Sequence, residues 1–156
     1  MSNPLAPGSL NGKRVLVTGS SRGIGADTVR YFAEAGADIV VNYRNKGARA
    51  EKLGTTLREL GGRVIVAGAD LTDPASVKGM FDTIAGEYGG LDILVLNASG
   101  GMEAGMAEDY ALTLNRDAQL NVLDAALPLL GEGSRVVFVT SHQAHFIRTT
   151  PTMPEY

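Results

Sequence analysis

The chain has 156 residues, 44 % hydrophobic and 20 % charged, a balance that supports a single folded domain with a real core and excludes a disordered chain. Lys and Arg number 14 against 17 Asp and Glu, so the net charge of −3 leaves no basic surplus for a phosphate backbone, and no nucleic-acid partner is expected. Cysteine is absent, which excludes disulfides, thiolate metal sites and a cysteine nucleophile.

Short apolar runs rich in Val, Ile and Leu predict strands at residues 14–18, 38–41, 63–67, 92–96 and 135–140. Each run is nearly continuous in apolar character, as in strands covered by helices on both faces. The segments between them predict helices. Residues 23–35 place Ile24, Val29, Phe32 and Ala33 on one stripe, with Gly36 positioned as a stop. Residues 46–60 are rich in Ala, Lys, Glu and Leu and run into Gly61-Gly62. Asp73-Pro74 reads as a capping residue followed by proline in the first turn, opening a helix that runs to Tyr88. The longest candidate covers residues 109–130, with Pro128 near its end. Strand–helix alternation predicts βαβ units in a doubly wound, Rossmann-like parallel sheet of five strands, forming one α/β domain over residues 1–156. The last strand is followed by residues 141–156 alone, so one sheet edge is expected to stay open and the domain to be incomplete on its C-terminal side. The opening residues lack the apolar core of a secretory signal, and no run reaches the roughly 18 apolar residues of a membrane span. A cytoplasmic protein with no membrane partner is expected.

The chain contains 20 glycines, about twice the usual share. Three of them, Gly19, Gly23 and Gly25, lie where the first strand turns into the first helix, in the order Gly-Ser-Ser-Arg-Gly-Ile-Gly. Gly19 allows a tight turn, Gly23 a close approach of backbone to a pyrophosphate, and Gly25 close packing of helix on strand. The helix start offers unpaired N–H groups and the positive end of its dipole to a phosphate.

Thr18 precedes this turn, and the pattern Thr-Gly-x-x-x-Gly-Ile-Gly resembles the cofactor turn of the short-chain dehydrogenase/reductase family. Further matches follow in the family's order. Asp70-Leu71 after the third strand resembles its adenine-contacting acid, and Asn97-Ala98 after the fourth resembles its Asn-Asn-Ala-Gly turn, with Leu96 and Ser99 at the flanking positions. Asn115 resembles its structural and catalytic asparagine, and Ser141 its catalytic serine. The resemblance implies that Ser141 holds a carbonyl oxygen, that a tyrosine transfers the proton and that Asn115 maintains a proton path. Tyr156 is the one tyrosine after Ser141, at a spacing of 15 where the family shows twelve or thirteen, and the lysine expected four residues later falls beyond the sequence. His142 and His145 suit a substrate loop better than a metal site.

In NAD-selective sites an acid at the end of the second strand receives the ribose 2′-hydroxyl. Here that end reads Asn42-Tyr43-Arg44, and Asp38 stands at the opposite end. Arg22 and Arg44 are placed to bind a 2′-phosphate, as basic residues do in the family's NADP-preferring members, so NADP(H) is expected over NAD(H). The cofactor-binding set is Thr18, Gly19, Ser21, Arg22, Gly23, Ile24, Gly25, Tyr43, Arg44, Asp70, Leu71, Asn97, Ala98 and Ser99. The catalytic set is Asn115, Ser141 and Tyr156. Together they describe an oxidoreductase for a small carbonyl or alcohol, a homo-oligomer in its complete form. The rival readings are a dinucleotide-binding module without turnover and a flavodoxin-like FMN domain; the glycine spacing and the ordered Asp70, Asn97 and Ser141 speak against the second.

Overall fold

The computed structural model describes residues 3–100 and 109–140. In chain order the elements are β1 (Arg14–Val17), α1 (Gly23–Glu34), β2 (Asp38–Tyr43), α2 (Gly47–Arg58), β3 (Val64–Gly68), α3 (Pro74–Tyr88) and β4 (Leu91–Leu96). A helical stretch follows: α4 (Tyr110–Leu112), a π-helical turn (Thr113–Asp117), α5 (Ala118–Ala126) and a 3-10 turn (Leu127–Leu129), leading into β5 (Leu130–Phe138). The five strands form one parallel sheet in the order β3-β2-β1-β4-β5.

The apolar runs are buried on both faces because side chains of a strand alternate sides. Leu16, Val40 and Leu94 pack on one face with Val77, Met80, Phe81 and Ile84 of α3 and Val122 of α5. Val15, Val17, Ile39, Val41 and Val95 pack on the other with Val29 of α1 and Leu53 and Leu57 of α2. Each fully buried aliphatic side chain stabilises the fold by roughly 1.5–3 kcal/mol relative to exposure. Arg14 ties the start of β1 to β4: its Nε donates to Asp92 Oδ2 at 2.7 Å and its backbone N–H to the same oxygen at 2.8 Å.

Two expected boundaries differ. The helix expected over residues 109–130 is divided, with a π turn around Asn115 and a 3-10 turn around Pro128, whose missing N–H fits the tighter first turn. β5 begins at Leu130 rather than at 135, through a register shift against β4 between Leu91 and Ile93. Its first half, with Gly131, Glu132 and Gly133, carries no strand signal; Ser134 holds it by donating its hydroxyl to Leu91 O at 3.0 Å. Among the described residues β5 pairs with β4 alone, and its Val136, Val137 and Phe138 are 45, 48 and 54 % exposed. Among the described residues no helix is long and apolar enough to cross a membrane.

The strand order reverses between β1 and β4, whose successors in sequence lead away to opposite sides of the sheet. In open α/β sheets that reversal leaves a crevice beyond the carboxyl ends of the strands. The glycine turn lies there.

Candidate functional site

Buried polar side chains fasten the glycine turn from both sides. Asn42, in the last apolar stretch of β2, accepts the Gly19 N–H on its Oδ1 at 2.9 Å, and its own N–H donates to Ser20 Oγ at 3.0 Å. Thr18 lies on the other side and is fully buried. Its Oγ1 accepts the N–H groups of Asn97 at 2.9 Å and Ala98 at 3.0 Å, while Asn97 Nδ2 donates back to Thr18 O at 2.9 Å. The ends of β1, β2 and β4 are thereby held in one register.

The turn delivers the chain into α1 with an unfilled N-terminus. Arg22 stands at the capping position in extended conformation and supplies no side-chain acceptor. Among the described residues, the first N–H of this helix to find a backbone acceptor is that of Ala26, which donates to Arg22 O at 3.2 Å. The preceding N–H groups point their partial positive charge at the crevice. α3 contrasts with it, because Asp73 there accepts the Ala75 N–H at 3.0 Å. Gly23 has a φ of +54°, and a Cβ built on it meets nothing within 4 Å. Its missing side chain therefore keeps the surface over the helix start clear.

The crevice is a groove of about 810 Å3, within the usual range for sites that take small molecules or cofactors. Of the residues expected at a cofactor, Gly19, Ser21, Arg22, Gly23, Ile24 and Gly25 line its floor. Tyr43, Arg44 and Leu71 line one end, and Asn97, Ala98 and Ser99 the other. Ile24 is 74 % exposed, an apolar side chain held open at the mouth.

Two expected cofactor residues, Thr18 and Asp70, are not among those lining the groove. Thr18 is the buried clamp just described. Asp70 accepts the Thr72 hydroxyl at 2.7 Å and the Thr72 N–H at 3.0 Å on Oδ1, with Arg44 Nε 3.7 Å from its Oδ2. The Thr72 hydroxyl first, then its N–H and the Arg44 charge, hold the Asp70 carboxyl below its ordinary pKa. Asn115 sits in the π turn and grips the loop after β4: its Nδ2 donates to Gly100 O and Ala111 O, both at 2.8 Å, and its Oδ1 accepts the Gly100 N–H at 3.3 Å. Ser141, Tyr156, His142 and His145 lie outside the described residues.

The groove also takes in residues that the sequence did not single out. Tyr110 contacts Arg44 through its hydroxyl and has the guanidinium carbon 5.7 Å from its ring centre. Lys46 and Arg49 come from the start of α2. Gln119 does not line the groove but is buried next to it and donates to Ala98 O, a lining residue, at 2.6 Å. Asn42 carried a usable signal, a lone amide at the end of an apolar run; the others become neighbours of the turn only through the fold.

Residues 13–156 match the family described as short chain dehydrogenase, and the chain belongs to that family. A curated relative from Aspergillus aculeatus, "Short chain dehydrogenase/reductase AacuN", is 37 % identical over 146 residues, which make up 90 % of this chain and 55 % of the relative. A short chain dehydrogenase from Burkholderia cenocepacia, solved in complex with NADP, superposes with a TM-score of 0.82 at 38 % identity, covering 90 % of this chain and 60 % of that one. A blue fluorescent protein from a metagenomic library, solved with NADPH, gives a TM-score of 0.78 at 33 % identity, covering 87 % and 58 %. The chain thus spans about half the length of the curated relatives it matches.

Proposed function

We propose that this chain carries the nucleotide-binding portion of an NADP(H)-dependent oxidoreductase acting on a small carbonyl or alcohol. What supports this reading above all is the start of α1: uncapped N–H groups, with Gly23 leaving the space above them clear, at the point where the strand order reverses. A pyrophosphate fits there by charge and by shape. The NADP and NADPH found in the two structural relatives support the same class of ligand. Bound NADPH supplies a hydride to a carbonyl carbon, and the oxidised form accepts one from an alcohol.

In this reading the adenosine end lies toward Tyr43, Arg44 and Leu71, and the nicotinamide end toward Asn97, Ala98 and Ser99. No carboxylate stands at the end of β2, where Asn42, Tyr43 and Arg44 follow one another. Arg22 and Arg44 favour a 2′-phosphate instead, so NADPH is preferred over NADH. By resemblance to the family, Ser141 holds the substrate oxygen, Tyr156 transfers the proton, and Asn115, fixed to the Gly100 backbone, maintains the path beside them.

Fluorescence titration of the chain with NADPH and, separately, NADH tests the cofactor half of this reading. NADPH is expected to bind at least roughly tenfold tighter, the worth of one charge-assisted pair at a partly exposed site. Equal affinities would remove the role given to Arg22 and Arg44. The catalytic half is tested by Tyr156→Phe, which is expected to lower carbonyl reduction by roughly a hundredfold or more. Turnover untouched by that change would sink the assignment of Tyr156.

A further inference from the structure

The groove has more positive charge at its adenosine end than Arg22 and Arg44 alone provide. Arg49, in the first turn of α2, lines the main groove and also a second depression of about 370 Å3 between α1 and α2. The two hollows meet at Ser21, Arg22, Gly23 and Arg49. Arg22 and Arg49 therefore flank one junction, Arg22 from the start of α1 and Arg49 from the start of α2.

The arginines differ in how their charge is already used. Arg44 has Asp70 at 3.7 Å and the Tyr110 hydroxyl against its guanidinium. Among the described residues, Arg22 and Arg49 make no ion pair. Asp27, the one acid lining the second depression, is 3.4 Å from Arg30. A dianion at the junction would thus meet two uncommitted forks of N–H donors, with Arg44 as a third cation whose charge is shared with Asp70.

We infer that Arg49 is a specificity-determining residue that grips the cofactor's 2′-phosphate together with Arg22. This rests on the groove being an NADP(H) site. Arg44 then contributes from the adenine side, where Asp70 and Tyr110 hold it.

Adenosine 2′,5′-bisphosphate and adenosine 5′-monophosphate differ by the 2′-phosphate alone, and calorimetric titration of the full chain with each separates the roles. Arg49→Ala is expected to weaken the bisphosphate roughly tenfold while leaving the monophosphate within about twofold. Arg49→Lys should recover part of the loss, since it keeps the charge without the planar fork. Lys52→Ala removes a cation that lines only the second depression, so it should change neither ligand. The inference is overturned if Arg49→Ala affects both ligands alike or neither, or if Lys52→Ala weakens the bisphosphate as much, which would mean a diffuse field. A wild-type chain that binds the two ligands equally overturns the NADP(H) reading and Arg49 with it. Selective wild-type binding that survives Arg49→Ala removes Arg49 alone.

Discussion

Two glycines of one turn meet different surroundings, and alanine substitution separates them. A Cβ on Gly25 would lie 2.8 Å from Gly19 O and from Ser20 Cα and 2.7 Å from Asn97 Nδ2, so backbone has to move. Gly25→Ala is expected to lower stability by about 1–3 kcal/mol, read as a drop in the urea midpoint. Gly23→Ala meets no such clash, and its cost is the positive φ, about 1 kcal/mol. Its methyl group would stand over the helix start, so NADPH binding should fall more than stability does. If both variants lost stability equally and kept binding, the groove would not be where the phosphates sit. Thr18 belongs to the Gly25 kind. Thr18→Val strips the acceptor from the Asn97 and Ala98 N–H groups, an expected loss of about 1–3 kcal/mol in urea unfolding with no change of cofactor selectivity. At this scale the sequence located the turn, because glycine spacing after a strand is a local property. It did not separate the residues that face the groove from those behind it. Of the residues expected at the cofactor, Thr18 accepts the N–H groups of Asn97 and Ala98, some 80 residues away, and Asp70 accepts the hydroxyl and N–H of the nearby Thr72. Arg49 and Tyr110 reach the groove by the same long-range packing, which leaves no mark in their own surroundings in sequence.

Helix starts are where stability and binding compete in this fold. α3 closes its own N-terminus with Asp73 and Pro74, as the sequence predicts, and Asp73→Ala is expected to cost about 1 kcal/mol. α1 has the arginine where a short polar cap would stabilise it, with a φ of −157° and ψ of 169°, a conformation that suits a capping residue. Arg22→Ser should therefore raise stability by about 0.5 kcal/mol while weakening NADPH binding, because the new hydroxyl competes for the N–H groups that the phosphate needs. A variant that loses stability, or one that gains it with unchanged binding, would contradict that competition. The regular elements were readable because burial on both faces writes an apolar run and a helix stripe into the chain. The stretch from Tyr110 to Phe138 is less legible. Its π turn depends on Asn115 bonding to a distant carbonyl at Gly100, and the first half of β5 is held by Ser134 against β4 rather than by apolar pattern.

Across the whole sheet, the ties between strand ends carry a pH dependence of known sign. Arg14 donates two hydrogen bonds to Asp92 and holds that carboxyl below its ordinary pKa, chiefly through the side-chain bond. A carboxylate lowered in the folded state stabilises it above the unfolded pKa and loses that contribution as pH falls through the folded value. Stability should thus fall as the pH drops below the ordinary carboxylate range, about pH 4, and Asp92→Asn should flatten that slope while costing about 1 kcal/mol at neutral pH. An unchanged slope would show that Asp92 is not the titrating group. The sheet's other exposed feature is its β5 edge. One row of its backbone hydrogen-bonding groups has no neighbouring strand in the described sheet, and Val136, Val137 and Phe138 are about half exposed beside it. An apolar edge of that kind pairs with whatever strand or apolar surface it meets. The chain is therefore expected to self-associate with rising concentration in sedimentation velocity. Val137→Lys places a charge on the edge without touching the glycine turn, so it should shift the distribution toward monomer and leave NADPH affinity as it was. A wild-type chain that sediments as monomer at every concentration would mean that the edge is not sticky. Loss of NADPH affinity in Val137→Lys would mean instead that β5 and the groove are coupled through β4.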